Sequence, residues 1–105
     1  MNIFGCPVKI SSQRTIYFPV TYLHYYRINA YDQLVRQQYE HYFIFRPYCE
    51  QPLLEDEVLV KLHAGNTHLP EKWLTDNKLK PGKDYLYLIG IDDGFVVSAS
   101  AKITL

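Results

Sequence analysis

The chain has 105 residues, of which 48% are apolar and 15% aromatic, so it can form one folded domain and is too apolar for a disordered segment. Eleven basic residues balance eleven acidic ones, which argues against a protein that holds polyanions by a strong overall positive field. No segment is typical of a membrane span or a signal peptide, so we expect a cytoplasmic protein without membrane contact and with Cys6 and Cys49 as reduced, buried thiols.

The elements in chain order suggest an internal repeat within a single domain covering residues 1–105. We place the first copy at residues 8–47. It opens with a strand at Val8, continues after Pro19 as a short helix, and ends in a hairpin over residues 34–46. The turn of this hairpin contains no glycine, and we place it near residues 37–40.

A connector follows at residues 48–57, where two prolines and several acidic residues interrupt the apolar pattern. The second copy covers residues 58–105. Pro70 suits the start of a helix of about two turns, because the first helical position needs no amide donor. Pro81-Gly82 is typical of a type II turn.

The last part of the second copy predicts a hairpin. Residues 85–91 are interpreted as a strand, Asp93-Gly94 favours a tight turn, and residues 95–99 form the returning strand. Aligning Pro19 with Pro70 also aligns four further pairs in the two copies: Tyr22 with Trp73, Leu23 with Leu74, Arg27 with Lys78, and Ile28 with Leu79.

This pattern resembles the SpoVT/AbrB and MazE-like swapped-hairpin family. The segments that carry the resemblance are residues 65–74, residues 79–84 and residues 92–97. The resemblance implies a mainly β protein with two short helices, folded as an AbrB-like swapped-hairpin barrel. Two copies in one chain would complete that barrel as an intramolecular pseudo-dimer, so we expect either a monomer or a homodimer.

The resemblance also implies a DNA-binding transcriptional regulator that reads duplex DNA through its first strands, turns and helix starts. Family members carry paired arginines in the helix, whereas this chain has Leu23-His24 and Leu74-Thr75 there. Each basic residue taken singly is also typical of an ordinary solvated surface. The positions that match are Lys9, Arg14, Arg27, Lys61, Asn66, Lys72 and Lys78.

The alternative function is a protein-binding module, such as an antitoxin-like protein or an inhibitor. Most of the ten tyrosines fall in the first half of the chain, and tyrosine is enriched at protein interfaces. The same residues could equally cover a barrel core. The candidate interface consists of Tyr22, Tyr25, Tyr26 and Tyr42.

We expect no enzyme activity, no cofactor and no metal site. The four histidines are scattered, and none forms the close Cys/His pair of a zinc site. His63 and His68 lie on two arms of one predicted turn, where surface histidines are common. Asp92 and Asp93 are explained by a hairpin turn without chemistry.

Overall fold

The computed structural model describes the backbone of residues 2–104 and the side chains of residues 5–101. Within that part of the chain the two helices are α1 (Val20–Tyr25) and α2 (Glu71–Asp76). The strands are β1 (Asn2–Phe4), β2 (Cys6–Lys9), β3 (Thr15–Tyr17), β4 (Gln33–Gln38), β5 (Tyr42–Pro47), β6 (Glu57–Lys61), β7 (Asn66–His68), β8 (Tyr85–Ile91), β9 (Gly94–Ser98) and β10 (Lys102–Thr104). The expectation of a mainly β protein with two short helices is confirmed.

Six strands form one antiparallel sheet in the order β2-β8-β9-β5-β4-β6, while β3 pairs with β7 and β1 with β10. The expected closed barrel is wrong. Closure would require β2 to pair with β6, the two strands at the ends of the sheet. Instead β3 follows β2 and β7 follows β6, and β3 and β7 pair with each other in a separate two-stranded ladder.

Strand pairing crosses between the two predicted copies. Strand β2 is bonded to β8, with Lys9 opposite Tyr85, and β6 is bonded to β4, with Lys61 opposite Gln33. The opening strand of each copy therefore adds to the hairpin of the other copy. The β3–β7 ladder joins the same copies, and Ile16 and Thr67 form its central pair.

The helices begin at corresponding places, directly after Pro19 and Pro70, as the sequence predicted. They also end alike. Arg27 and Lys78 each follow the last helical turn with a positive φ of 57°. The next residue in each case donates its amide N–H back to the last turn, at 2.8 and 2.9 Å. This is the hydrogen bond of a Schellman ending, at which glycine is the usual positive-φ residue.

The hairpins follow the predicted strands with shifted turns. Strand β8 has the predicted limits, but the second turn lies at Asp92-Asp93, and Gly94 already belongs to β9. The first turn lies at residues 39–42, where the Tyr39 N–H donates to the Tyr42 carbonyl at 2.9 Å, and not at residues 37–40. The predicted type II turn at Pro81-Gly82 is confirmed by the φ of 82° at Gly82.

Both copies contribute to one core. Phe18 stacks on Phe95 with ring centroids 5.0 Å apart and meets Phe45 edge-on at 5.2 Å. Phe18 and Phe45 belong to the first copy and Phe95 to the second, so the aromatic centre of the core depends on the crossing.

Cys6 and Cys49 are free thiols, as expected, but both are exposed, so the expectation of buried thiols is wrong. Each lies outside the packed interior, in edge strand β2 and in the connector. Neither helix, within the described residues, has the length and hydropathy that a bilayer span requires.

Candidate functional site

The first basic cluster consists of Lys9, Lys78, Lys80 and Lys83, all exposed. The segment between α2 and β8 is held beside the end of β2. Within this contact, the Gly82 N–H donates to the Ile10 carbonyl at 2.8 Å, and the Ile10 N–H donates to the Asp84 carbonyl at 3.0 Å. No ion pair involves the four lysines within residues 5–101. They form a patch of net positive charge, in which the one nearby carboxylate of the segment, Asp84, accepts a hydrogen bond from the Lys80 backbone N–H at 2.6 Å.

The second basic cluster, Lys61 and Arg27, occupies the corresponding place in the other half. The segment between α1 and β4 lies beside the end of β6, because the amide N–H of the residue after Lys61 donates to the Asp32 carbonyl at 2.9 Å. This cluster is smaller and less positive. Arg27 lines one cleft together with Asp32 and Glu50, whose carboxylates reduce the local positive potential.

The other predicted DNA-contacting residues are less available. The Arg14 guanidinium lies 3.0 Å from the Glu71 carboxylate, and its side chain is 40% exposed. Lys72 is 90% exposed on α2, with Asp76 at 3.9 Å.

Asn66 lies in β7, half-buried, and its side-chain oxygen is buried without a hydrogen-bond partner among the described residues. The structure therefore places the segment that follows Lys78 beside the end of the strand that contains Lys9, and the segment that follows Arg27 beside the end of the strand that contains Lys61. Arg14 and Lys72 each have a neighbouring carboxylate, and Asn66 is half-buried in β7.

Arg27 and Lys78, the basic residues that follow the two helices, have a positive φ, a backbone conformation that glycine adopts at a lower conformational energy. An L-residue with positive φ is crowded by its own Cβ, at a cost of about 1 kcal/mol relative to glycine. Arg27 and Lys78 both accept this cost, although neither side chain is buried nor ion-paired in the described part of the chain. An unfavourable backbone position that carries an exposed charge is a hint of function.

A second candidate site is a cavity of about 520 Å³ between α1 and the second hairpin, which we call the tyrosine pocket. Its walls are Tyr22, Tyr25 and Tyr26 from the helix, and Gly90 and Asp92 from the hairpin. The three tyrosines share a helix face because they are spaced three and four residues apart. Tyr25 and Tyr26 meet edge-on at 4.9 Å.

Gly90 permits this arrangement. A Cβ at position 90 would lie 2.8 Å from the Tyr26 hydroxyl oxygen and 3.4 Å from the Tyr22 ring. The Tyr26 hydroxyl donates to the Ile91 carbonyl and so ties the helix to the hairpin. Burial raises the pKa of Tyr26, and the neighbouring Tyr25 and Tyr22 phenols and the Asp92 carboxylate raise it further, because a second negative charge close by disfavours the Tyr26 phenolate.

The corresponding place at α2 is built differently. Trp73 and Asp76 line a cavity of about 410 Å³ against the first hairpin, with Glu40 and His41. The indole N–H of Trp73 donates to the Tyr39 carbonyl at 2.8 Å. A tryptophan, a carboxylate and polar hairpin residues thus stand where the tyrosine pocket has three phenol rings.

Tyr42, the fourth tyrosine of the predicted interface, lies apart from the other three. It belongs to β5, where its ring stacks on Tyr39 with centroids 4.6 Å apart. The predicted interface is therefore divided, with three tyrosines in the tyrosine pocket and one on the first hairpin.

Sequence reasoning missed several residues of both sites. Lys80 and Lys83 lie in a turn that was interpreted for its geometry and not for its charge. Gly90 and Asp92 were missed as walls of the tyrosine pocket. A glycine inside a predicted strand is the available signal for Gly90, because it indicates close approach of another group.

The described residues contain no group of three histidine, cysteine or carboxylate side chains placed to hold a metal ion. Comparison of the chain with protein-family models, with curated proteins and with solved structures gives no match.

Proposed function

We propose that this chain is an intramolecular pseudo-dimer of the SpoVT/AbrB and MazE-like swapped-hairpin class, and that it is a regulator-like protein that binds duplex DNA. The crossing of strands supports the fold assignment, because the opening strand of each copy pairs with the hairpin of the other. The two crossings have the same register, and β3 and β7 meet at a central pair between them.

The observation that carries the function is the pair of matched basic clusters. Lys9 corresponds to Lys61 and Lys78 to Arg27, so each half of the fold offers the same two cations. Duplex DNA has phosphates related by two-fold symmetry, and two-fold proteins contact it with equivalent residues of both halves. Phosphate contacts of this kind supply affinity without requiring a positive net charge over the whole protein.

The clusters differ in strength, which predicts unequal contributions. The first basic cluster holds four lysines with one neighbouring carboxylate, Asp84, whereas the second holds two cations with two, Asp32 and Glu50. We expect most of the phosphate contacts to come from the first cluster.

The test is binding of the full chain to a fluorescently labelled duplex, measured by anisotropy over a series of salt concentrations. We expect affinity to fall steeply with salt, and the Lys80→Ala/Lys83→Ala double variant to reduce the slope of log K against log salt by about 2, since each phosphate contact contributes about 0.9. Lys72→Ala is the matched control, because Lys72 already has a neighbouring carboxylate. DNA-binding proteins that contact phosphates bind most tightly at low salt, so absence of binding at about 50 mM salt would overturn the proposal.

A second candidate function is docking of a protein partner, antitoxin-like or inhibitor-like. The tyrosine pocket favours it, because three clustered tyrosines with an exposed rim are typical of a contact surface. Peptide titration of this pocket tests this candidate independently of DNA.

A further inference from the structure

We propose that the tyrosine pocket binds the cationic side chain, arginine or lysine, of a partner polypeptide. The inference rests on the second candidate function, protein docking, and names the chemistry that the partner must present. It does not depend on DNA binding, because none of the basic-cluster residues lines the pocket.

The aromatic walls suit a cation. The faces of aromatic rings carry negative electrostatic potential, and several rings around one cavity attract an ammonium or guanidinium group. Tyr22 and Tyr26 are fixed by packing edge-on against Phe95, at 5.9 and 4.9 Å, so the walls are preformed. Tyr25 is 78% exposed and stands beside Tyr26.

The charge of the pocket also suits a cation. The Asp92 carboxylate lines the pocket and makes no ion pair with any described residue. The adjacent Asp93 is different, because it holds Arg46 at 2.9 Å and is thereby compensated. Asp92 is also among the groups that raise the pKa of Tyr26, after burial and the neighbouring phenols, which agrees with a carboxylate close to the Tyr26 hydroxyl.

The rim of the pocket favours a polypeptide over a free small cation. Tyr25 lines the pocket and is 78% exposed, so its ring extends apolar surface from the cavity to the rim. A volume of about 520 Å³ lies in the range of ligand sites and exceeds what one ammonium group fills. Residues flanking the inserted side chain would cover this rim, and their apolar contacts would add affinity.

The chain contains its own comparison site. The cavity at α2 has the same helix and hairpin framework, yet Asp76 occupies a helical position where the first helix presents an aromatic ring, and Trp73 is engaged with Tyr39. Its turn carboxylate, Glu40, lies 3.6 Å from His41. We therefore expect cation recognition at the tyrosine pocket alone.

The experiment is an NMR titration of the full chain, labelled on the tyrosine rings and backbone amides. The probes are capped glycine-serine peptides with one central arginine, lysine or trimethyllysine, and matched peptides with norleucine or glutamate. Methylguanidinium and butylammonium form a separate arm. The variants are Tyr25→Ser, which removes an exposed ring, and Asp92→Asn, with Glu40→Gln as the matched control.

We expect the cationic peptides to shift Tyr22, Tyr25 and Tyr26 saturably and to bind more tightly than norleucine, glutamate or the free cations. Tyr25→Ser and Asp92→Asn should each weaken binding about two- to fivefold, as expected for one cation–π contact or one exposed charge pair, and Glu40→Gln should leave it unchanged. Thermal unfolding of each variant verifies that it is folded.

Three results would overturn the inference in different ways. If norleucine peptides bind as tightly as cationic ones, the pocket does not recognise a cation, although protein docking remains its function. If free butylammonium binds as tightly as the peptides, the pocket does not recognise a polypeptide. No shift of the tyrosine rings by any peptide at millimolar concentration removes both the inference and the docking candidate, while the DNA titration decides its own proposal separately.

Discussion

Replacing Trp73 with phenylalanine tests whether the second helix is attached to the first hairpin as described. The Trp73 side chain is buried, packs on the Phe43 ring with centroids 4.4 Å apart, and donates its indole N–H to the Tyr39 carbonyl at 2.8 Å. Phenylalanine keeps the ring contact but removes the donor. Losing that hydrogen bond costs about 1 kcal/mol, and the smaller ring leaves a void worth about 1 kcal/mol more.

The total of about 2 kcal/mol corresponds to a fall in the melting temperature of about 10 °C for a chain of this size. Urea unfolding followed by far-UV circular dichroism measures the free energy of unfolding directly. Tyr22→Phe is the matched control, since Tyr22 packs on Phe95 at 5.9 Å while its hydroxyl makes no hydrogen bond with the described residues. That variant should change stability by less than about 0.5 kcal/mol. Equal losses in the two variants would refute the reasoning.

Three further predictions concern other parts of the fold. Lys78→Gly relieves the positive φ of 57° and should raise the melting temperature by about 5 °C while weakening DNA binding; a lower melting temperature would contradict the strain argument. Because burial raises the pKa of Tyr26, its phenol should lose its proton only above the ordinary tyrosine range, and the stability contributed by the neutral form should decline as the pH rises past about 10. Comparing the ultraviolet titration of the protein with that of Tyr26→Phe measures this, and a phenol that titrates with an ordinary pKa would disprove it. Cys6 and Cys49 should both react with a thiol reagent in the native protein, and a reductant should leave the melting temperature unchanged; protection of either thiol would contradict their exposure.

Local chemistry explains which elements the sequence predicts well. Pro19 and Pro70 mark the helix starts because proline is tolerated where a helix begins and its amide donor is not needed; each is the residue directly before the first helical residue. Strand β8 is framed by a turn on each side. The turn at residues 39–42 was misplaced because it contains no glycine, so the sequence has no residue that requires a particular turn conformation.

Interactions between distant residues explain most of what was missed. The ion pair of Arg14 with Glu71 joins residues far apart in the chain, and nothing near Arg14 indicates that its charge is compensated. The sequence also failed to predict that the sheet is open, because the hydrophobic pattern of a strand does not identify the strands beside it. Tyr22, Tyr25 and Tyr26 lie together because residues three and four apart share a helix face, whereas Tyr42 belongs to another element and nothing in the sequence separates it from them.

The crossing of strands has a consequence for how the chain folds during synthesis. Strand β2 leaves the ribosome early, yet its partner β8 is made only when most of the chain has been translated. The first hairpin gains its neighbour β6 about midway through synthesis, and its other neighbour β9 only near the end. A nascent first half therefore exposes unpaired strand edges, which favour aggregation, and its pairing depends on contacts of high sequence separation, which form slowly. Cutting the chain in the connector should give two fragments that are each unstable alone and become folded only when mixed.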